Sequence, residues 1–286
     1  MTAAETYAAR IDAVRVQRAR LHGVQPPDDP WAGSVARRFR ADPHRPLDAN
    51  LTVIASHIRP EDVFLDVGGG AGRVALPLAL RCREVITADA SPGMGAEFTA
   101  AATEAGISNA RFVHTNWLEA EGFQGDVALT ANVTYFVREI VPFIEKLASA
   151  ARRRVMITVW SVASPNQNAA IFHLVYGEEP VAVPGYRELL PVLWELDILP
   201  DVHVLPGVPP VPGGPMGARM PQTPEDAVQL ALQGQWLGPQ DHVRAHRLIE
   251  ERFSELFAAS PEGFRPLWRQ EAREMLITWE TDRRRG

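Results

Sequence analysis

The chain alternates between two textures of apolar and polar residues. Over the first 58 residues, Ala13, Val16 and Leu21 stand among charges at helical spacing, the run from Gln25 to Pro30 interrupts them, and an apolar pattern resumes from Leu47 to Ile58. This predicts an N-terminal helical arm over residues 1–58. From Val63 onward, short β-rich apolar runs at 63–67, 84–88, 111–114, 126–129 and 155–160 are separated by spacers long enough for a helix. Strands and helices in alternation predict an α/β fold with a doubly wound, mostly parallel sheet, whose strand carboxyl ends share one edge.

Beyond residue 180 the pattern becomes irregular. Pro180 to Pro224 holds 11 of the 24 prolines, which predicts loops around one helix at 186–199 and one strand at 202–205. Thr223 then reads as an N-cap before Pro224, opening a helix that stops near Gly234. A longer helix is expected from Pro239 to about Ala258, with Val243, Leu248, Ile249, Phe253 and Leu256 as its apolar stripe, and a last strand at 274–281. The division this suggests is an arm at 1–58, a core at 59–205 and 262–286, and a helical insertion at 206–261 expected to cap an acceptor pocket.

Residues 63–80, VFLDVGGGAGRVALPLAL, read as strand, glycine turn and helix. Gly68, Gly69, Gly70 and Gly72 let the backbone turn sharply and let a ligand approach the main chain. Asp66 precedes them, where a carboxylate favours a cationic group and repels a pyrophosphate. The third glycine of a dinucleotide G-x-G-x-x-G would fall on Arg73, which disfavours that cofactor without removing it as the alternative. The second run ends in Asp89, 21 residues after Gly68, where an acid can accept hydrogen bonds from two ribose hydroxyls or cap the helix starting near Ser91.

Residues 60–160 resemble the class I S-adenosylmethionine-dependent methyltransferases. The first motif of that family, an acid followed by G-x-G-x-G, corresponds to Asp66, Gly68, Gly70 and Gly72, and its ribose-binding acid to Asp89. The resemblance places Ala90 and Met94 beside the cofactor, and puts the adenine-contacting pair on Asn116 and Trp117, with Asn where the family usually has Asp. It also brings Thr130, Ala131 and Asn132 near the methionine moiety and Tyr135 to the rim facing the acceptor. The implied fold is a seven-stranded Rossmann-like sheet. The implied reaction is in-line methyl transfer from S-adenosylmethionine, giving S-adenosylhomocysteine. Such a transfer needs alignment more than acid or base, and Tyr135, His173 and His114 are the candidates should a base be used. Trp31, Phe39, Trp194 and Trp236 are candidate aromatic walls. Methylation of RNA or protein, and a non-catalytic nucleoside-binding protein of the same fold, remain alternatives.

Composition narrows the partners. At 286 residues, 46% apolar and 22% charged, the chain suits one large domain or a core with an insertion. The net charge of −6 gives no overall attraction to nucleic acid, although arginine triplets stand at 152–154 and 283–285. No apolar stretch reaches the roughly 20 residues that cross a bilayer, so a cytoplasmic protein acting on a small molecule is expected. The single cysteine, Cys82, excludes an internal disulfide and a cysteine cage for zinc. His242 and His246 are four apart but lack the Glu of H-E-x-x-H, so no metal is expected. The oligomeric state is left open.

Overall fold

The computed structural model describes residues 1–22, 28–209, 219–233 and 237–281. Along the chain these form α1 (Ala3–His22), α2 (Ser34–Arg38), α3 (Ala49–Ala55), β1 (Val63–Val67), α4 (Ala75–Ala79), β2 (Glu84–Asp89) and α5 (Pro92–Glu104). Then follow β3 (Ala110–His114), β4 (Gly125–Ala131), α6 (Ile140–Ala150), β5 (Ala151–Trp160), α7 (Ala169–Tyr176), α8 (Tyr186–Glu195) and β6 (Asp201–Val204). The last elements are α9 (Pro224–Ala231), α10 (His242–Glu251), α11 (Phe253–Leu256), β7 (Phe257–Ser260), β8 (Gly263–Pro266) and β9 (Glu274–Glu280).

Seven strands form one sheet in the order β3-β2-β1-β4-β5-β9-β6. The pairs β1–β2, β1–β4, β2–β3 and β4–β5 are parallel, and β6–β9 is antiparallel. The strand order reverses at β1, between β2 and β4, so the carboxyl end of β1 is the switch point at which such sheets open a crevice. In register, Asp66 lies level with Thr87 on β2 and Leu129 on β4. Phe64, Val85, Val127, Leu129 and Met156 on that face pack with Leu51 and Ile54 of α3, Leu76 and Leu78 of α4 and Phe98 of α5. Burial at about 25 cal/mol per Å² of apolar surface makes this layer a rigid platform for the edge above it.

The chain divides into two compact units, one of 1–25, 160–190 and 207–273, the other of 26–159, 191–206 and 274–286. The second contains the sheet apart from Trp160. The first holds α1, α7, α9, α10, α11 and the β7–β8 hairpin, with a core of Ile171, Phe172, Val228, Leu237, Ile249 and Phe257. Residues 1–58 are therefore shared between the units, α1 in one and α2 and α3 in the other.

Local detail departs from the sequence expectation in four places. The helix expected to run to Ala258 ends at Glu251; after the single turn α11, residues 257–260 pair antiparallel with 263–266. Pro261 and Gly263, at φ 123, form the turn, and the Phe257 ring packs edge-on against Trp268 at 4.9 Å. The helix expected at 186–199 stops at Glu195, followed by Asp197 in the left-handed region at φ 57. The arginines at 152–154 lie inside β5, where they pair with Asp126, Asp62 and Glu280 respectively, so charges that read as a connection are compatible with a strand. The helix stop near Gly234, Trp236 and the 283–285 triplet lie outside the described residues.

Candidate functional site

β1 is apolar and buried except in chemistry at its fourth residue. Asp66 is wholly buried, and neither carboxylate oxygen has a hydrogen-bond partner. Burial, and then the neighbouring Asp89, push its carboxyl up to about 7, while Arg73 pulls the other way. Thr87, level with it on β2, also leaves its hydroxyl unpartnered. A buried acceptor without a donor is costly, and native structures rarely keep one without a use.

The glycine turn covers this carboxylate. Gly68 adopts φ 72, and a Cβ there would overlap the Val133 side chain just beyond β4, so no other residue fits. Its N–H donates to the Ala88 carbonyl at 2.7 Å, which stitches the turn to the end of β2. At Gly69 a Cβ would overlap the Asp66 carboxylate, so the main chain lies directly against it. Gly70 and Gly72 are also left-handed, at φ 55 and 80.

Asp89 closes the turn from β2. Its Oδ2 accepts the Gly70 N–H at 2.9 Å and its Oδ1 accepts the Ser91 N–H at 2.8 Å, so it braces the turn, while the cap of α5 is Ser91, whose hydroxyl accepts the Met94 N–H at 3.0 Å. Each oxygen retains a lone pair, enough for two ribose hydroxyls. Burial raises its carboxyl, with repulsion from Asp29 adding to the rise against the lowering by the two N–H groups.

Asp29 was not singled out by sequence. Its Oδ2 accepts from the Ser91 hydroxyl at 2.9 Å and the Gly93 N–H at 3.0 Å, and its Oδ1 accepts the Trp31 N–H at 3.0 Å. Burial pulls its carboxyl upward, but these hydrogen bonds outweigh it and hold the group below the ordinary carboxylate range. The segment so tied places Trp31 against Ala36, Ala71 of the turn and the buried Met94, and edge-on to Phe39 and Phe136 at 6.0 and 5.8 Å. Asp29, Asp66 and Asp89 therefore surround the turn with negative charge.

On the β3 side, Ala90 is exposed and its carbonyl lies 3.0 Å from His114 Nε2, which accounts for His114 as structure. Asn116 is exposed; it donates to Glu119 at 3.1 Å and accepts the Leu118 N–H at 3.2 Å. Trp117 is buried, with its indole N–H 3.5 Å from the Phe143 carbonyl and Lys146 above the ring at 5.4 Å, so its side chain belongs to the packing of α6 and only its backbone borders the loop.

On the β4 side, Asn132 is left-handed at φ 62 and carries a polar chain that the sequence did not reveal. Its Nδ2 donates to Glu274 Oε1 at 3.3 Å and its Oδ1 accepts the Tyr135 hydroxyl at 3.1 Å. Glu274, which opens β9, also accepts from Asn50 Nδ2 at 2.9 Å on its other oxygen. Tyr135, Asn50 and Glu274 are all buried. An acid opening a mostly apolar strand was the available signal for Glu274. Thr130 is buried with its hydroxyl unpartnered, and Ala131 ends β4.

His173 lies in the other unit, on α7, exposed, with Nδ1 3.0 Å from Glu179. In that unit His246, without His242, meets Glu225 and Glu250, their ligand atoms all within 4.8 Å. Nδ1 faces Glu250 at 3.1 Å and Nε2 faces Glu225 at 3.7 Å, so the ring is shared between two acids rather than aimed with them at one point. Trp194 and Phe39 are exposed. A cleft of about 900 Å³ flanks β3 and α5 instead of the glycine turn and is mostly apolar, with Phe98, Thr99 and Phe112 on its walls.

The turn fits an amino-acid-bearing nucleoside. Asp66 lacks a donor, Gly68 keeps side chains out of the approach, and Asp89 offers acceptors at the next strand.

Comparison with known proteins agrees. Residues 64–154 match a family model described as a methyltransferase domain. A Haemophilus influenzae protein of uncharacterised function is 29% identical over 147 residues, 50% of this chain and 53% of that protein, so the chain spans about half the length of the curated relative it matches. A protein from Bacillus halodurans described as a putative methyltransferase superposes with a TM-score of 0.54 at 12% identity, over 82% of this chain and 97% of that one. The YcgJ protein of Bacillus subtilis superposes at 0.52 and 14%, over 81% and 97%. At such identities these two establish the fold alone. Residues 64–154 thus match the methyltransferase-domain model, and the sheet has the fold of these two structures.

Proposed function

We propose that the protein transfers a methyl group from S-adenosylmethionine to a small molecule. The observation that carries this reading is the set of three carboxylates, Asp29, Asp66 and Asp89, around a glycine turn that has no cationic ligand of its own apart from Arg73 nearby. Such a field favours a cation and repels a pyrophosphate. The alternative of a dinucleotide-dependent oxidoreductase loses its support on the same ground.

When bound, the cofactor supplies an electrophilic methyl on a sulfonium, and the protein's part is to orient and to exclude water. Asp66 contributes negative charge beneath the turn, the Gly68–Gly70 backbone gives close approach, and Asp89 accepts from the ribose. Trp31, held by Asp29, covers Ala71 and Met94 beside the turn. The chain Glu274–Asn132–Tyr135 fixes a phenol beyond β4. Tyr135 is a hydrogen-bonded rim residue in this scheme, since its hydroxyl already donates to Asn132.

Two features favour a small acceptor over RNA. The arginines of β5 are each matched by an acid, and the net charge is −6. The test is calorimetric titration of the full chain with S-adenosylhomocysteine and, separately, with NAD. S-adenosylhomocysteine should bind, and Asp89→Ala should weaken it by about 1–3 kcal/mol through lost ribose hydrogen bonds and a loosened turn. Binding of NAD alone would overturn the proposal.

A further inference from the structure

Within the unit of 1–25, 160–190 and 207–273, Arg269 follows the β7–β8 hairpin and has no acidic partner among the described residues. Its Nη2 donates to Asn168 Oδ1 at 3.2 Å, a neutral acceptor that is itself buried and oriented by donating to the Gln233 carbonyl at 3.1 Å. Its Nε is buried with no partner at all. The preceding residue repeats the pattern: the indole N–H of Trp268 is also buried and unpartnered. The guanidinium carbon stands 5.9 Å from the centre of that indole ring, so the two orphaned donors belong to one locality.

Burial, with nothing opposing it, lowers the Arg269 guanidinium to about 10. A cation taken from water needs an opposite charge or a full set of acceptors, and this one has a single amide oxygen. Arg153 and Arg154, half-buried as well, each meet a carboxylate. A guanidinium with an N–H left over, in the same locality as a second unpartnered N–H donor, is the kind of pair that a carboxylate or phosphate satisfies.

We propose that Trp268 and Arg269 bind an anionic group, a carboxylate or a phosphate.

The test is calorimetric titration of the full-length protein with inorganic phosphate and with benzoate, each against potassium chloride at matched ionic strength. Saturable binding of phosphate assigns the phosphate class, and of benzoate the carboxylate class; either supports the proposal. Arg269→Met, confirmed folded by its thermal melt, should lose about tenfold or more of that affinity, and Trp268→Phe, which keeps the cation, should lose severalfold. No saturable binding of either anion to the unaltered protein, or undiminished binding by Arg269→Met, overturns it. Should Arg269→Met not fold, the unaltered protein and Trp268→Phe decide. Titration with S-adenosylhomocysteine in parallel separates the two readings: anion binding without it removes only the methyltransferase reading, and the converse removes only the anion site.

Discussion

Two buried carboxylates in the sheet unit lie under opposite conditions. Glu274, at the start of β9, has one amide N–H on each oxygen, from Asn50 and Asn132. Asp66, near the end of β1, has none and is raised to about 7 by burial and by Asp89. The first is a finished structural joint that ties β9 to the loop after β4 and to α3. The second is unfinished, because a folded chain that provides no donor keeps that acceptor for something else. Burial alone therefore does not distinguish the two acids; the protein donors do.

Glu274→Leu should do the greatest damage, removing the carboxylate that the Asn50 and Asn132 amides share and lowering unfolding free energy by about 2–4 kcal/mol, as read from urea denaturation. An unchanged midpoint would erase the distinction between the two acids.

Asp66→Asn should act in the opposite sense on the ligand-free protein. The folded carboxyl titrates near 7 and the unfolded one near 4. Between those values the folded state holds more protons, so Asp66 subtracts stability as pH rises through that window and the loss is complete above about 7. Thermal melts of Asp66→Asn should lack this decline and exceed the unaltered protein at pH 8. The same variant should bind S-adenosylhomocysteine about tenfold more weakly at pH 8, the loss shrinking toward pH 6 where the native carboxyl is already protonated. A pH-independent ratio would place Asp66 outside the cofactor's field.

The smallest effect is expected for Glu274→Gln, which keeps the shape and one acceptor and should cost about 1 kcal/mol or less. If it matched Glu274→Leu, the charge of Glu274 would be the essential feature instead of its two hydrogen bonds.

Much of the cofactor side was legible because its signals are local. The strand, the glycines and Asp66 lie within ten residues, and Asp89 follows at the end of the next strand, so a period and a spacing suffice to place them. The arrangement of the seven strands follows from the same alternation. Where local signals conflict, the reading failed: the stripe from Val243 to Leu256 extends helically past Glu251, yet cross-strand pairing with 263–266 draws Phe257–Ser260 into a hairpin.

What the sequence by itself determined is therefore the doubly wound sheet and the acid-flanked turn, each written in contiguous residues. Only the tertiary structure decided that Asn50 meets Glu274, 224 positions away, that Asp29 braces the start of α5, and that the Asp66 carboxylate and the Arg269 Nε are left without partners. The reason is physical: a periodic pattern records which face of an element is covered, whereas the satisfaction of a buried polar atom depends on which distant segments packing brings to it.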